Sequence, residues 1–398
     1  MIAKKKWILE LLLCALAAIV LGQGAAWATD LQEAQDFGTN PGNLGMKYFA
    51  PENLAADAPL VLVLHGCNQS VAAIADAGWL DLAEERGFVL LFPEQKLFNN
   101  PSGCFNWAGE YGDLSNLERG EGENESIMQM VLFIQQLLEI NSEKIFISGF
   151  SSGGAMASIM LATWPEVFDA GAIMSGITYA CSMFPWEAQP CIMPGIDRGP
   201  AEWASRVRDA FPEYEGTYPR LSLWQNARDP VVGVLNLSEL VEQWTEVHGI
   251  DRVPDEELAS GAASILRYQD ESGVVRVESW LIEQAGHGIP IDEASGCGIS
   301  STYVLDTGVC FAKEALGFFG IEKGNLRDEL RPGRPQSLLD GTRFEQEGTP
   351  IFRMPGAESE EEQNDAEGGC QSTGSSAASS GLWSCLVLMM MLGRLRQQ

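Results

Sequence analysis

The segment Pro59–Leu64, Pro-Leu-Val-Leu-Val-Leu, carries no polar side chain and stops at His65-Gly66. A strand with one wet face alternates apolar and polar residues. A short run without alternation therefore suits a strand covered on both sides, as in the parallel sheet of an α/β protein. The following sequence keeps that rhythm. A helix is expected over Val71–Arg86, a second strand over Phe88–Phe92 closed by Pro93, and a helix over Ile127–Ile140. A strand over Lys144–Ser148, a tight glycine turn and a helix over Ser152–Thr163 come next, with further strands at Phe168–Met174, Arg220–Trp224 and Val274–Ile282. The predicted class is α/β, a mostly parallel, doubly wound sheet with helices on both faces. Tyr179–Tyr218, rich in Pro, Trp and Cys, shows no period and is expected to form an irregular insertion over the site.

The 398 residues leave room for segments flanking one such domain. Lys4, Lys5 and Lys6, the apolar stretch Leu11–Leu21 and the small residues of Ala26-Trp27-Ala28 predict an export signal over residues 1–28. Glu10 interrupts the apolar run, which is short of the roughly 20 residues that a membrane span needs. Residues 29–325 form the expected main folded domain. Residues 326–368, with the acidic run Glu358–Glu367, read as a low-complexity linker that buries too little apolar surface to fold. The end, residues 369–398, joins Cys370 and a Ser/Ala/Gly stretch to the apolar segment Leu382–Leu392, then Arg394 and Arg396. It resembles the C-terminal sorting tails of some Gram-negative bacterial surface proteins. That resemblance predicts a secreted chain held at a membrane or cell surface, with the arginines on the cytoplasmic side; a weakly ordered tail is the alternative, because the strict apolar run is shorter than the roughly 20 residues a span needs.

Asp plus Glu outnumber Lys plus Arg by 55 to 25, for a formal net charge of -30, which sets the chain against nucleic-acid partners. Of nine cysteines, Cys14 leaves with the signal and Cys370 and Cys385 lie in the tail. The remaining six, Cys67, Cys104, Cys181, Cys191, Cys297 and Cys310, suit three disulfides in an oxidising compartment, with about 15 connectivities open. None of them forms a C-x-x-C pair and the chain has three histidines, a poor supply for a metal site.

Gly149-Phe150-Ser151-Ser152-Gly153 matches the nucleophile elbow G-x-S-x-G. So short a motif says little alone. With a strand before it and a helix after, it places Ser151 on the sharp turn that lifts a hydroxyl above a sheet edge. A serine hydroxyl needs a base to take its proton during attack. His65 sits directly at the end of the first strand and His248 near the end of an amphipathic helix, leaving His287, in Ala285-Gly286-His287-Gly288, as the base. The acid belongs between serine and histidine in this chain order, and Asp229, after the strand Arg220–Trp224, fills that place. A surface ion pair to Arg228 is the competing role for it. The oxyanion donors expected are the backbone amides of Ser152 and Cys67. A Cys67–Cys104 disulfide is hypothesised to pin that loop.

His65-Gly66-Cys67-Asn68-Gln69, Cys104-Phe105-Asn106-Trp107, Arg119–Glu123, Gly149–Met156 and Gln243-Trp244 together resemble the secreted poly(3-hydroxybutyrate) depolymerase family of esterases, across about Asn43–Phe319. The family also holds feruloyl and acetylxylan esterases. The resemblance implies an α/β-hydrolase fold, no cofactor, a polyester or ester-bearing polysaccharide as substrate, and the catalytic set Ser151, Asp229 and His287. Trp107 becomes the candidate apolar wall beside the scissile ester. Two places depart from the pattern. Asn226-Ala227-Arg228 precedes Asp229 where a Gly-Thr-Ala-like run is usual, and Ile289 follows His287-Gly288 where Trp-Pro is expected. The functional expectation is hydrolysis of a polyhydroxybutyrate-type polyester or its oligomers. Hydrolysis of feruloyl or acetylxylan esters in plant cell walls is the first alternative, and a non-catalytic surface protein retaining the fold is the second.

Overall fold

The computed structural model describes residues 31–109, 114–184, 186–322 and 325–326. The expected export signal and C-terminal tail lie outside them, as does the acidic linker after residue 326. Among the described residues no helix is long and apolar enough to cross a membrane.

Ten strands form one sheet: β1 (Gln32–Ala34), β2 (Gly45–Phe49), β3 (Leu60–Leu64), β4 (Val89–Glu94), β5 (Ile145–Phe150), β6 (Ala170–Met174), β7 (Arg220–Asn226), β8 (Glu256–Ser260), β9 (Ala263–Gln269) and β10 (Val275–Ile282). Their spatial order is β1-β2-β4-β3-β5-β6-β7-β10-β9-β8. From β4 to β10 every pairing is parallel, and antiparallel strands extend both edges. The helices are α1 (Val71–Ala75), α2 (Trp79–Arg86), α3 (Gly122–Leu138), α4 (Ser152–Thr163), α5 (Ala188–Ile192), α6 (Pro200–Asp209), α7 (Leu235–His248) and α8 (Phe311–Phe319). A small parallel pair, β11 (Ile289–Ile291) with β12 (Val304–Asp306), follows the main sheet.

The uniform apolarity of β3 is explained by its place in the middle of the sheet. Leu60, Leu62 and Leu64 enter one core with Ile127 of α3, Met160 of α4 and Trp244 of α7. Val61 and Val63 enter the other with Trp79 of α2 and Phe311 of α8. Helix α4 is buried from Ser152 to Thr163, which accounts for its apolarity all round. Because the central strands are parallel, the loops after β3, β5, β7 and β10 share one sheet edge. These loops carry Cys67, Ser151, Asp229 and His287.

Three expectations need correction. The helix over Val71–Arg86 is two helices, broken at Gly78, whose φ is +93°. A Cβ there would stand 2.8 Å from Cys297 Sγ, so a regular helical residue is excluded by packing as well as by backbone. The strand expected to stop at Pro93 continues to Glu94. Pairing with β3 ends at Leu62–Leu91 while pairing with β2 goes on, so the missing Pro93 N–H costs no ladder bond toward β3. The insertion after Tyr179 contains α5 and α6. Pro200 is well placed in the first turn of α6, while Trp203, Ala204 and Val207 supply its buried face. The insertion is tied to the Asp229 loop where Gly233 N donates to Ile192 O at 2.8 Å.

Candidate active site

Ser151 directly follows β5 and caps α4 with φ +57° and ψ -120°, a conformation that residues other than glycine rarely adopt. Its N–H donates to Met174 O on the neighbouring strand β6 at 2.9 Å, and its carbonyl accepts from Ala155 N at 2.9 Å, so both ends of the turn are fixed. The glycines around it are sterically required. A Cβ on Gly149 would lie 2.1 Å from Gly153 O, and one on Gly153 would lie 2.3 Å from Leu64 O and 2.5 Å from His65 O. The helix behind the serine thus begins in backbone contact with the end of β3.

Ser151 Oγ lies 3.0 Å from His287 Nε2, and His287 Nδ1 lies 2.7 Å from Asp229 Oδ2. The Asp229 side chain is fully buried and that of His287 nearly so. Asp229 Oδ1 accepts from the amides of Val231 at 2.8 Å and Val232 at 2.9 Å, and Oδ2 also accepts from Ser175 Oγ at 3.1 Å and Gln225 Nε2 at 3.4 Å. These donors fix the carboxylate and aim it at the imidazole, a different environment from an exposed ion pair with Arg228. The Phe150 ring lies 4.7 Å, centroid to centroid, from His287, and a Cβ on Gly66 would meet that same ring at 2.8 Å. The residue before the serine therefore spaces the imidazole from the loop after β3.

The amides of Cys67 and Ser152 have no hydrogen-bond acceptor among the described residues, as oxyanion donors require. Beneath the loop, His65 is fully buried. Its Nδ1 faces Gly66 O at 2.8 Å and its Nε2 accepts from Gln95 N at 3.1 Å, which assigns the proton to Nδ1. Burial holds its pKa below the ordinary value, so the ring is a neutral strut. Gln95 Nε2 donates to Cys104 O at 3.0 Å and to Glu123 Oε1 at 2.5 Å, and Asn106 donates to both oxygens of Glu123. A Cys67–Cys104 disulfide closes this scaffold, and Cys181–Cys191 and Cys297–Cys310 are the other two bonds. His248 is remote from the serine, its Nε2 facing Pro219 O at 3.0 Å. Trp107 is 8% exposed and packed with the core, leaving a small remainder to face a substrate.

Sequence reasoning missed Ser175, Gln225 and Gln95, because single polar residues within apolar runs carry no spacing signal. Glu123 belonged to the Arg119–Glu123 run that the family resemblance had marked, without a role.

A parallel sheet with a strained serine between strand and helix, and histidine and aspartate on later loops, defines a hydrolase of the α/β class. The chain belongs to the Esterase PHB depolymerase family, which it matches over residues 45–250, and it is a hydrolase of carboxylic esters. It is 38% identical over 308 residues to poly(3-hydroxyalkanoate) depolymerase C of Paucimonas lemoignei, covering 77% of this chain and 73% of the relative. It is 32% identical over 273 residues to an acetylxylan esterase of Coprinopsis cinerea, covering 66% of this chain and 70% of that one. Among solved structures, acetyl xylan esterase from Aspergillus awamori shares the fold, with a TM-score of 0.62 at 24% identity, covering 73% of this chain and 99% of that one.

Proposed function

We propose that Ser151 opens a carboxylic ester through an acyl-enzyme, and that the substrate is a polyhydroxybutyrate-type polyester or its oligomers. The observation that carries the chemistry is the unbroken hydrogen-bond chain from Ser151 through His287 to Asp229 on a nucleophile elbow. His287 Nε2 takes the Ser151 proton as Oγ attacks the ester carbonyl carbon, and Asp229 stabilises the imidazolium formed. The Cys67 and Ser152 amides receive the oxyanion, and His287 returns the proton to the departing alkoxide. Water, deprotonated by the same histidine, releases the acid and restores the serine.

Two observations support a polyester. The depolymerase from Paucimonas lemoignei is 38% identical. A water-insoluble aliphatic chain also needs apolar surface near the site, and the loops at the serine's end of the sheet expose Phe98 at 92% and Trp186 at 72%, with Val231 and Val234 after the aspartate. The 32% identity to an acetylxylan esterase favours a polysaccharide ester as the second reading. A fluorophosphonate probe is expected to label Ser151 in the folded protein and to fail with Ser151→Ala. No adduct on the parent would instead favour a non-catalytic surface protein. Clearing of a polyhydroxybutyrate suspension, run beside ferulate release from feruloylated arabinoxylan, tests the substrate. Ferulate release without 3-hydroxybutyrate overturns the polyester reading.

The three disulfides support an exported protein, and the C-terminal tail is proposed to hold it at the surface of a Gram-negative cell. Membrane fractionation of the full chain against one ending at Ala357 tests this. Equal release of both into the medium removes the anchor.

A further inference from the structure

We infer that Asn226 is a positioning residue for the proposed base His287, holding its loop through the two carbonyls that flank it. Asn226 is the last residue of β7 and fully buried. Its Nδ2 donates to Gly286 O at 2.6 Å and to Gly288 O at 2.8 Å. One amino group thus grips the backbone on both sides of His287. The inference rests on the reading of Ser151, His287 and Asp229 as the catalytic set.

The orientation of the amide follows from chemistry. Turned over, Oδ1 would face two carbonyl oxygens, so the amino group must point at the loop. In the orientation present, Oδ1 is buried with no hydrogen-bond partner among the described residues. Leaving a buried acceptor unmatched carries a stability cost, so packing and stability give a poor account of asparagine here. Holding the loop gives a better one.

The loop needs holding because of its sequence. Gly286 and Gly288 on either side of His287 give the backbone wide conformational freedom, and a Cβ on Gly286 would meet nothing within 4 Å. Up to that point the two loops are laced together through their backbones. Asn226 pairs with Ile282 across β7 and β10, Ala227 N donates to Ile282 O at 2.9 Å, and Arg228 N donates to Ala285 O at 3.2 Å. The Asn226 side chain continues the lacing past Ala285, where the aspartate loop turns toward Asp229. Beyond the grip, Ile289 N donates to Tyr303 O at 2.8 Å and β11 begins. His287 is therefore suspended between fixed points. Both departures from the family pattern, Asn226 and Ile289, bear on this one loop. Displacement of a catalytic group by about 1 Å can cost on the order of 100-fold in rate, so the grip acts on turnover rather than on substrate affinity.

The test uses the full chain and a soluble ester, p-nitrophenyl butyrate, with Asn226→Ala and the near-isosteric Asn226→Asp, which replaces the donor by an acceptor. The expected result for Asn226→Ala is a kcat lower by roughly 10-fold or more with KM within about twofold, and a parallel slowing of fluorophosphonate labelling. Asn226→Asp is expected to fall further. Added to His287→Ala, Asn226→Ala should lower the residual activity no more, because Asn226 acts through that histidine. A kcat within about twofold of the parent in folded Asn226→Ala overturns the inference, as does an undiminished fall in the His287→Ala background. If Asn226→Asp fails to fold, Asn226→Ala alone decides. Parental activity in His287→Ala itself would instead remove the catalytic reading on which the inference stands.

Discussion

Asp229 and His287 meet through a 2.7 Å hydrogen bond from Nδ1 to Oδ2, while the other carboxylate oxygen of Asp229 is occupied by the Val231 and Val232 amides. This division of labour makes Asp229→Asn a sharp test. The two amides require an oxygen, so the new amino group must take the Oδ2 position and face His287 Nδ1. The imidazole then carries its proton on Nε2, where it faces Ser151 as a donor and cannot act as base. A kcat lower by on the order of 10³- to 10⁴-fold is expected, with binding of substrate nearly unchanged. Steady-state kinetics on a soluble ester checks it, and a loss under about 10-fold would remove Asp229 from the assigned role.

A methyl group at position 153 should be intolerable. The Cβ of Gly153→Ala would stand 2.3 Å from Leu64 O and 2.5 Å from His65 O, both backbone atoms of the strand and loop that must stay in place. A loss of more than about 2 kcal/mol is expected from forced separation of α4 and β3. Activity should fall with it, because Ser151 and Cys67 sit on opposite sides of the contact. Urea denaturation of the variant gives the stability directly, and a midpoint equal to the parent's would contradict the contact.

The legible parts of this molecule were those with a local pattern. The apolar run at β3, the Gly149–Gly153 turn and the helix Ser152–Thr163 each declare themselves within a few residues, since burial on both faces and a close backbone turn restrict residue type position by position. Ser175, Gln225 and Asn226 do not. Each is a polar residue in or beside a buried strand, and its meaning appears only when β6, β7 and the His287 loop converge from distant parts of the chain. The hairpin of β8 and β9 was missed for a related reason. β8 is exposed along most of its length and offers little apolar signal, while in β9 the alternation of buried Ala263 and Ile265 breaks before buried Tyr268. Helix α6 was hidden among prolines and tryptophans that disrupt periodicity on either side of a ten-residue segment.

Reduction should act unequally on the disulfides. The Cys67–Cys104 bond closes a separation of 37 residues, against 10 for Cys181–Cys191 and 13 for Cys297–Cys310. Chain entropy alone then makes the first bond worth about 4 kcal/mol and the others about 3. Only the first also ties the loop that presents the Cys67 amide. Cys104→Ser is therefore expected to lower kcat several-fold as well as the urea midpoint, whereas Cys181→Ser should lower the midpoint and largely spare kcat. The two measurements on each variant separate the effects, and equal kcat losses would deny the Cys67 loop any special part.

The pH dependence of stability should carry the mark of His65. Burial lowers its pKa in the folded state beneath the ordinary 6.5, so at a pH below 6.5 the unfolded chain binds a proton that the folded chain refuses. The unfolded state then binds more protons, and the free energy of unfolding rises with pH. Stability from this group is complete above 6.5 and declines as pH falls from 6.5 toward the folded pKa, with a slope of at most about 1.4 kcal/mol per pH unit. The geometry shows why the folded form resists protonation. Nε2 already accepts the Gln95 amide at 3.1 Å, and a second proton there would set two donors against each other. His65→Gln can keep one donor and one acceptor but does not titrate. It is expected to be less stable than the parent at pH 7.5 and to lose less on acidification to pH 5, so that the two curves converge. Thermal unfolding of both proteins across that range makes the comparison, and parallel curves would show that His65 is protonated as readily in the folded chain as in the unfolded one.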